Sequence, residues 1–132
     1  MSTGTIRLAA ASCGLLVAVS SGAQAHHSVA AYDRANPAML EGTVKEFKYT
    51  NPHTRIYLMV PDGNGGESQW ELEGAAVNTV VRQGWTTRTL LPGMKVKLLI
   101  APRKDGKDGG EWLRVLEING KVFEGVKQAG IG

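Results

Sequence analysis

Cysteine is almost missing from this chain. The one residue, Cys13, lies in an apolar leader, so everything downstream is free of thiols. That excludes internal disulfides, zinc–thiolate sites, iron–sulfur clusters and thiol catalysis from the mature part. Histidine is scarce as well, with three in 132 residues. No nucleophile elbow, Walker loop, dinucleotide fingerprint or His-Glu-x-x-His motif is present, which leans against an enzyme and leaves only a copper enzyme with a histidine brace as a third reading. Glu71 and Glu73 share one strand face, whereas glycosidase carboxylates come from different elements across a cleft. They read as a solvated strand face. A large excess of one charge is also lacking: Lys+Arg number 15 and Asp+Glu 12, interspersed along the chain. The one charge-dense run, Arg103 to Asp108, mixes both signs. That is a loop composition, not a stripe that tracks phosphates, so no nucleic-acid partner is expected.

What is present begins with the leader. Arg7 supplies a positive start, Leu8 to Val19 is apolar, and Ser20 to Ala25 is small and polar, ending in Ala23-Gln24-Ala25. This is the order of a secretory signal peptide with an A-x-A cleavage site. Its apolar run is shorter than the roughly 20 residues a membrane-spanning helix needs, so no transmembrane segment is expected in the mature form. The reading is a signal peptide over 1–25 and a periplasmic or secreted mature protein, with an arm over 26–39, a domain over 40–124 and a flexible tail over 125–132. Cleavage after Ala23 is the alternative to cleavage after Ala25.

The domain reads as strands. Leu40 to Tyr49 alternates with Leu40, Gly42 and Val44 on one face. It then changes phase, with Phe47 and Tyr49 as the next large residues, which predicts a bulge. Arg55 to Val60 places Ile56, Leu58 and Val60 inward, and Glu67 to Glu73 places Ser68, Trp70 and Leu72 inward. Pro61 to Gly66 is a turn. Ala75 to Gln83 shifts to a helical period, with Gly84 as its stop. Met94 to Ala101 and Glu111 to Ile118 are two further strands. Asn119-Gly120 is a tight turn into a short return over Lys121 to Phe123. Tyr32, on the arm, is expected to pack on the core. Three strands, a helix and two strands is the order of a small, mainly β, OB-like five-stranded Greek-key barrel, with one short helix between strands 3 and 4.

The histidines are the most informative chemistry. His26 and His27 follow the leader, and His53 sits in the loop Asn51-Pro52-His53. If cleavage follows Ala25, the amine and ring of His26 can chelate one copper ion, with His53 or His27 as second ligand. If it follows Ala23, Gln24-Ala25-His26 forms an amino-terminal motif suited to square-planar Cu(II). Imidazole suits copper, nickel and zinc alike, so the residues do not fix the metal. Met39, Met59 and Met94 read as gap-filling or surface residues. Trp70, Trp85 and Trp112 read as core or rim anchors. Base stacking on them would suit single strands, a partner that export disfavours. The reading is therefore an exported binding protein holding copper through His26, His27 and His53. The alternative is a non-catalytic interaction module without metal, docking an envelope protein through Asn51, Tyr57 and Met59.

The pattern His26-His27-Ser28, Leu40-Glu41-Gly42-Thr43-Val44, Thr50-Asn51-Pro52-His53, Arg82-Gln83-Gly84-Trp85 and Leu91-Pro92-Gly93-Met94 resembles a family of small secreted bacterial proteins catalogued as a domain of unknown function. The resemblance implies an exported OB-like barrel and no activity. A looser analogy is to periplasmic OB-fold copper chaperones, which use a histidine, a tryptophan and two methionines. Trp70-Glu71-Leu72-Glu73 lacks the closely spaced methionines of those proteins.

Overall fold

The computed structural model describes residues 30–124. The expected signal peptide, both candidate cleavage sites, His26, His27 and the expected tail lie outside the described residues. The protein is mainly β. Its elements are β1 (Ala38–Lys48), β2 (Arg55–Pro61), β3 (Glu67–Glu73), α1 (Val77–Arg82), β4 (Lys95–Pro102), β5 (Gly110–Ile118) and β6 (Lys121–Val122). The strands form one sheet in the order β3-β2-β1-β4-β5-β6, and neighbours in that order pair antiparallel. β3 and β5 also pair in parallel, through Leu72 with Gly110 and Glu73 with Glu111.

Alternation sets the register. Ile56, Leu58 and Val60 of β2 and Val96, Leu98 and Ile100 of β4 are all buried. A one-residue slip of β2 would turn its three to the other face, and burying such a side chain is worth about 1.5–3 kcal/mol. The phase change in β1 is a bulge. Val44 pairs with Leu58 and Glu46 with Tyr57, so Lys45 is the extra residue. Past it, Phe47 and Tyr49 turn onto the core. β1 starts two residues earlier than the alternation indicated, because Ala38 and Met39 still pair with Ile100 and Leu99.

The helix is shorter than its period suggested. It ends as expected at Gly84, whose φ of 85° suits a residue without Cβ. The Gly84 and Trp85 amides bond back to Val81 O and Val80 O. This turn delivers Trp85 to the core, where its ring lies 5.0 Å from that of Trp112. Both indoles are buried, while Trp70 is half-buried against the same core. Asn119 and Gly120 both have positive φ, as a two-residue hairpin turn requires. Among the described residues no helix is long and apolar enough to cross a membrane.

The arm departs from expectation. Tyr32 is half-buried and does not join the core. It forms an isolated antiparallel bridge with Arg103, flanked by bonds from the Asp33 amide to Pro102 O and from the Lys104 amide to Ala31 O. The arm is therefore laid along the end of β4, and its polar side chains reach the β3–β5 seam.

Candidate functional site

The loop before β2 is zipped to the segment after β3. Thr54 is fully buried, and its amide and its hydroxyl both donate to Ala75 O, at 3.0 and 2.8 Å. The Gly74 amide returns a bond to Thr54 O. Three residues before Thr54, Asn51 Oδ1 accepts from the Val77 amide, at the start of α1. These bonds continue the β2–β3 ladder beyond Arg55 and Glu73 and give the loop a fixed direction. The Asn51–Pro52 bond is cis.

His53 is held inside this zipper. Its Nδ1 lies 3.1 Å from Gly74 O. A carbonyl only accepts, so Nδ1 carries the hydrogen. Its Nε2 then points toward Glu73, 3.4 Å from Oε1. The other oxygen of that carboxylate accepts a 2.8 Å hydrogen bond from the Tyr32 hydroxyl. Burial first, and then this bond to Glu73, push the Tyr32 phenol well above its ordinary value, so it stays a donor. Glu73 is thus shared between the arm and the loop, with its side chain only 17% exposed. It is not the solvated strand residue that its alternation with Glu71 suggested. Glu71 is exposed and pairs with Arg55 at 2.8 Å.

Beside Glu73, Arg34 clasps Glu111 with two prongs, Nε to Oε2 at 2.7 Å and Nη2 to Oε1. A polar cleft opens here, lined by Tyr32, Gln69, Glu71, Glu73, Arg103 and Asp108. A separate groove is lined by Glu41, Gly42, Thr43, Pro61, Lys95 and Lys97, and His53 is not part of it.

The expected site residues fall into two groups. Asn51 and His53 share the zipped loop, and the amide oxygen of Asn51 is engaged by the Val77 amide. Tyr57 and Met59 stand half-buried on the outer face of β2, with Lys48 Nζ 5.0 Å from the Tyr57 ring centroid. His26 and His27 lie outside the described residues. Among the described residues, no group of three or more His, Cys, Asp and Glu side chains is arranged to hold a metal ion. The thioethers are elsewhere: Met94 Sδ accepts from the Leu91 amide and Met39 is exposed. Glu73 and Tyr32 are the residues that sequence reasoning missed. The local pattern shows only an outward strand glutamate, and the phenol that covers it comes from 41 positions away.

Residues 12–112 match the model of a family described as a family of unknown function, DUF6152. Comparison with curated proteins and with solved structures gave no match.

Proposed function

Because the chain belongs to this family of unknown function, we propose a reading from its own site: an exported, OB-like module that binds copper through His53 and the histidines of the N-terminal arm. The barrel reading is supported by the parallel β3–β5 pairing, which joins β1, β2, β3, β5 and β4 into one circuit. Export is supported by the leader over 1–25, with its A-x-A end.

One observation carries the metal reading. The arm is fastened by Tyr32 to the carboxylate that faces the His53 ring. His27 precedes Tyr32 by five residues, a reach of at most about 18 Å of extended chain. An arm so anchored starts from beside His53, which lowers the entropy lost when its histidines join one ion. His53 also has the usual form of a metal-binding imidazole, with one ring nitrogen tied to a backbone carbonyl and the other facing a carboxylate oxygen.

The test is a Cu(II) titration of the mature protein, its N-terminus defined by intact mass, followed by electron paramagnetic resonance. The expected result is one site tighter than micromolar that is lost in His53→Ala and in His26→Ala. Weaker binding, or binding indifferent to both substitutions, overturns the reading.

A second reading rests on Tyr57 and Met59, which present an aromatic and a thioether side by side outside the core. Under it the module docks an envelope protein and needs no metal. Partner capture from periplasm that survives His53→Ala and fails with Tyr57→Ala favours this reading.

A further inference from the structure

We propose that Glu73 is a ligand as well, so that His53 Nε2 and Glu73 Oε1 form the folded half of a site for a divalent, borderline metal ion. This inference rests on the copper reading and narrows it to Cu(II) or Zn(II) rather than Cu(I).

With Nδ1 directed at Gly74 O, Nε2 is the ring nitrogen left to face Glu73 Oε1. A cation held between that nitrogen and the carboxylate oxygen, a proton or a metal ion, satisfies both. The separation agrees. Charge-assisted N–H···O bonds run about 2.7–2.9 Å, whereas the observed distance is 3.4 Å. Donors that each lie about 2.0–2.2 Å from one ion are roughly 3.4 Å apart at the tetrahedral angle of Zn(II) and roughly 3.0 Å apart at the right angle of square-planar Cu(II). The observed separation therefore matches zinc and needs only a small closure for copper.

The supporting contacts are already made. The imidazole is oriented by Gly74 O and the carboxylate by the Tyr32 hydroxyl on its far oxygen. Tyr32 is thus a positioning residue. The His53 side chain is 34% exposed, so an ion and further ligands can reach Nε2 from solvent. A carboxylate is a hard donor that suits divalent ions, and Cu(I) prefers thiolate or thioether. Among the described residues, the partners of His53 and Glu73 are oxygen and nitrogen groups and not sulfur.

The experiment uses the mature full chain and three probes, Cu(II), Zn(II) and Cu(I), on the native protein, His53→Ala and Glu73→Gln. Gln keeps the shape of Glu and still accepts from Tyr32, and circular dichroism and melting check that the variant is folded. Loss of at least about tenfold in Cu(II) or Zn(II) affinity in Glu73→Gln, with Cu(I) affinity unchanged, is the expected result. For Cu(II), the copper hyperfine signal should change as an oxygen ligand leaves. Cu(II) binding that needs His53 but is identical in affinity and spectrum in Glu73→Gln overturns this inference and leaves the copper reading standing. Zn(II) binding that needs both residues, without a histidine-dependent Cu(II) site, upholds the half-site and overturns the copper reading. Binding of neither ion that responds to either substitution overturns both, and His53 with Glu73 is then only an ion pair.

Discussion

Glu73 and Glu111 are direct partners across the parallel β3–β5 seam. Two carboxylates opposite each other on one face repel. The arm relieves this, because Tyr32 donates to Glu73 and Arg34, two residues on, clasps Glu111. The β3–β5 pairing therefore depends on a segment outside the sheet.

Arg34→Ala should show that dependence. Glu111 is buried, and removing its guanidinium leaves an unpaired carboxylate beside Glu73. Breaking a fully buried pair costs about 3–5 kcal/mol. The Arg34 side chain is 45% exposed, so water recovers part of that. A loss of about 1–2 kcal/mol is expected, which lowers the melting temperature by several degrees in a domain of this size. Adding Glu111→Gln to Arg34→Ala should restore part of the loss, and thermal melts of the two variants read both effects. A double variant no more stable than the single one argues against repulsion at the seam.

Tyr32→Phe should loosen the arm and leave the sheet intact. It removes one hydrogen bond to a charged acceptor at a half-exposed position, worth about 1 kcal/mol. The Asp33 and Lys104 amides, which tie the arm to Pro102 O and Ala31 O, should exchange with solvent about fivefold faster. The Gly66 amide, bonded to Asp62 within its own turn, should not change. Equal acceleration at all three amides would mean global destabilisation rather than arm release.

The contrast between the strands and this corner shows what a sequence carries. The core faces of β2 and β4, the bulge at Lys45, the stop at Gly84 and the Asn119-Gly120 turn were all legible. Each follows from sterics or alternation within a few residues of itself. Glu73 and Tyr32 were not. Their roles depend on the long-range placement of the arm, and an outward glutamate on a strand looks the same whether water or a phenol covers it. His53 was legible as a candidate because histidine is so rare here. Its direction was not, since that is fixed by the Thr54–Ala75 zipper between segments far apart in sequence.

The loop after β4 should open in acid with a known sign. The Arg103 guanidinium, and then the Lys107 amide, hold the Asp105 carboxyl well below its ordinary value of 3.8. A carboxylate lowered in the folded state adds stability that is present above 3.8 and is lost as pH falls through the folded value. The Lys107 amide, bonded to Asp105 Oδ1 at 3.1 Å, is the reporter. Its NMR shift should stay flat down to pH 3.8 and move only below it, and Asp105→Asn should abolish the movement. A midpoint at or above 3.8 would mean that the pair with Arg103 is not formed in solution.

Gly74→Ala tests the geometry under the candidate site. A Cβ at this position would overlap Trp112 Nε1 and lie 2.7 Å from Thr54 Oγ1. Neither neighbour has room to yield, since Trp112 and Thr54 are both fully buried. Overpacking of this kind costs about 1–3 kcal/mol. The added methyl also presses on the backbone whose carbonyl orients His53. The melting temperature should fall, and the His53 ring resonances should shift even under conditions where the variant is fully folded. If the ring resonances stay unmoved while stability falls, Gly74 serves packing against Trp112 and Thr54 alone, and the orientation of His53 is set by the bonds of the Asn51–Thr54 loop.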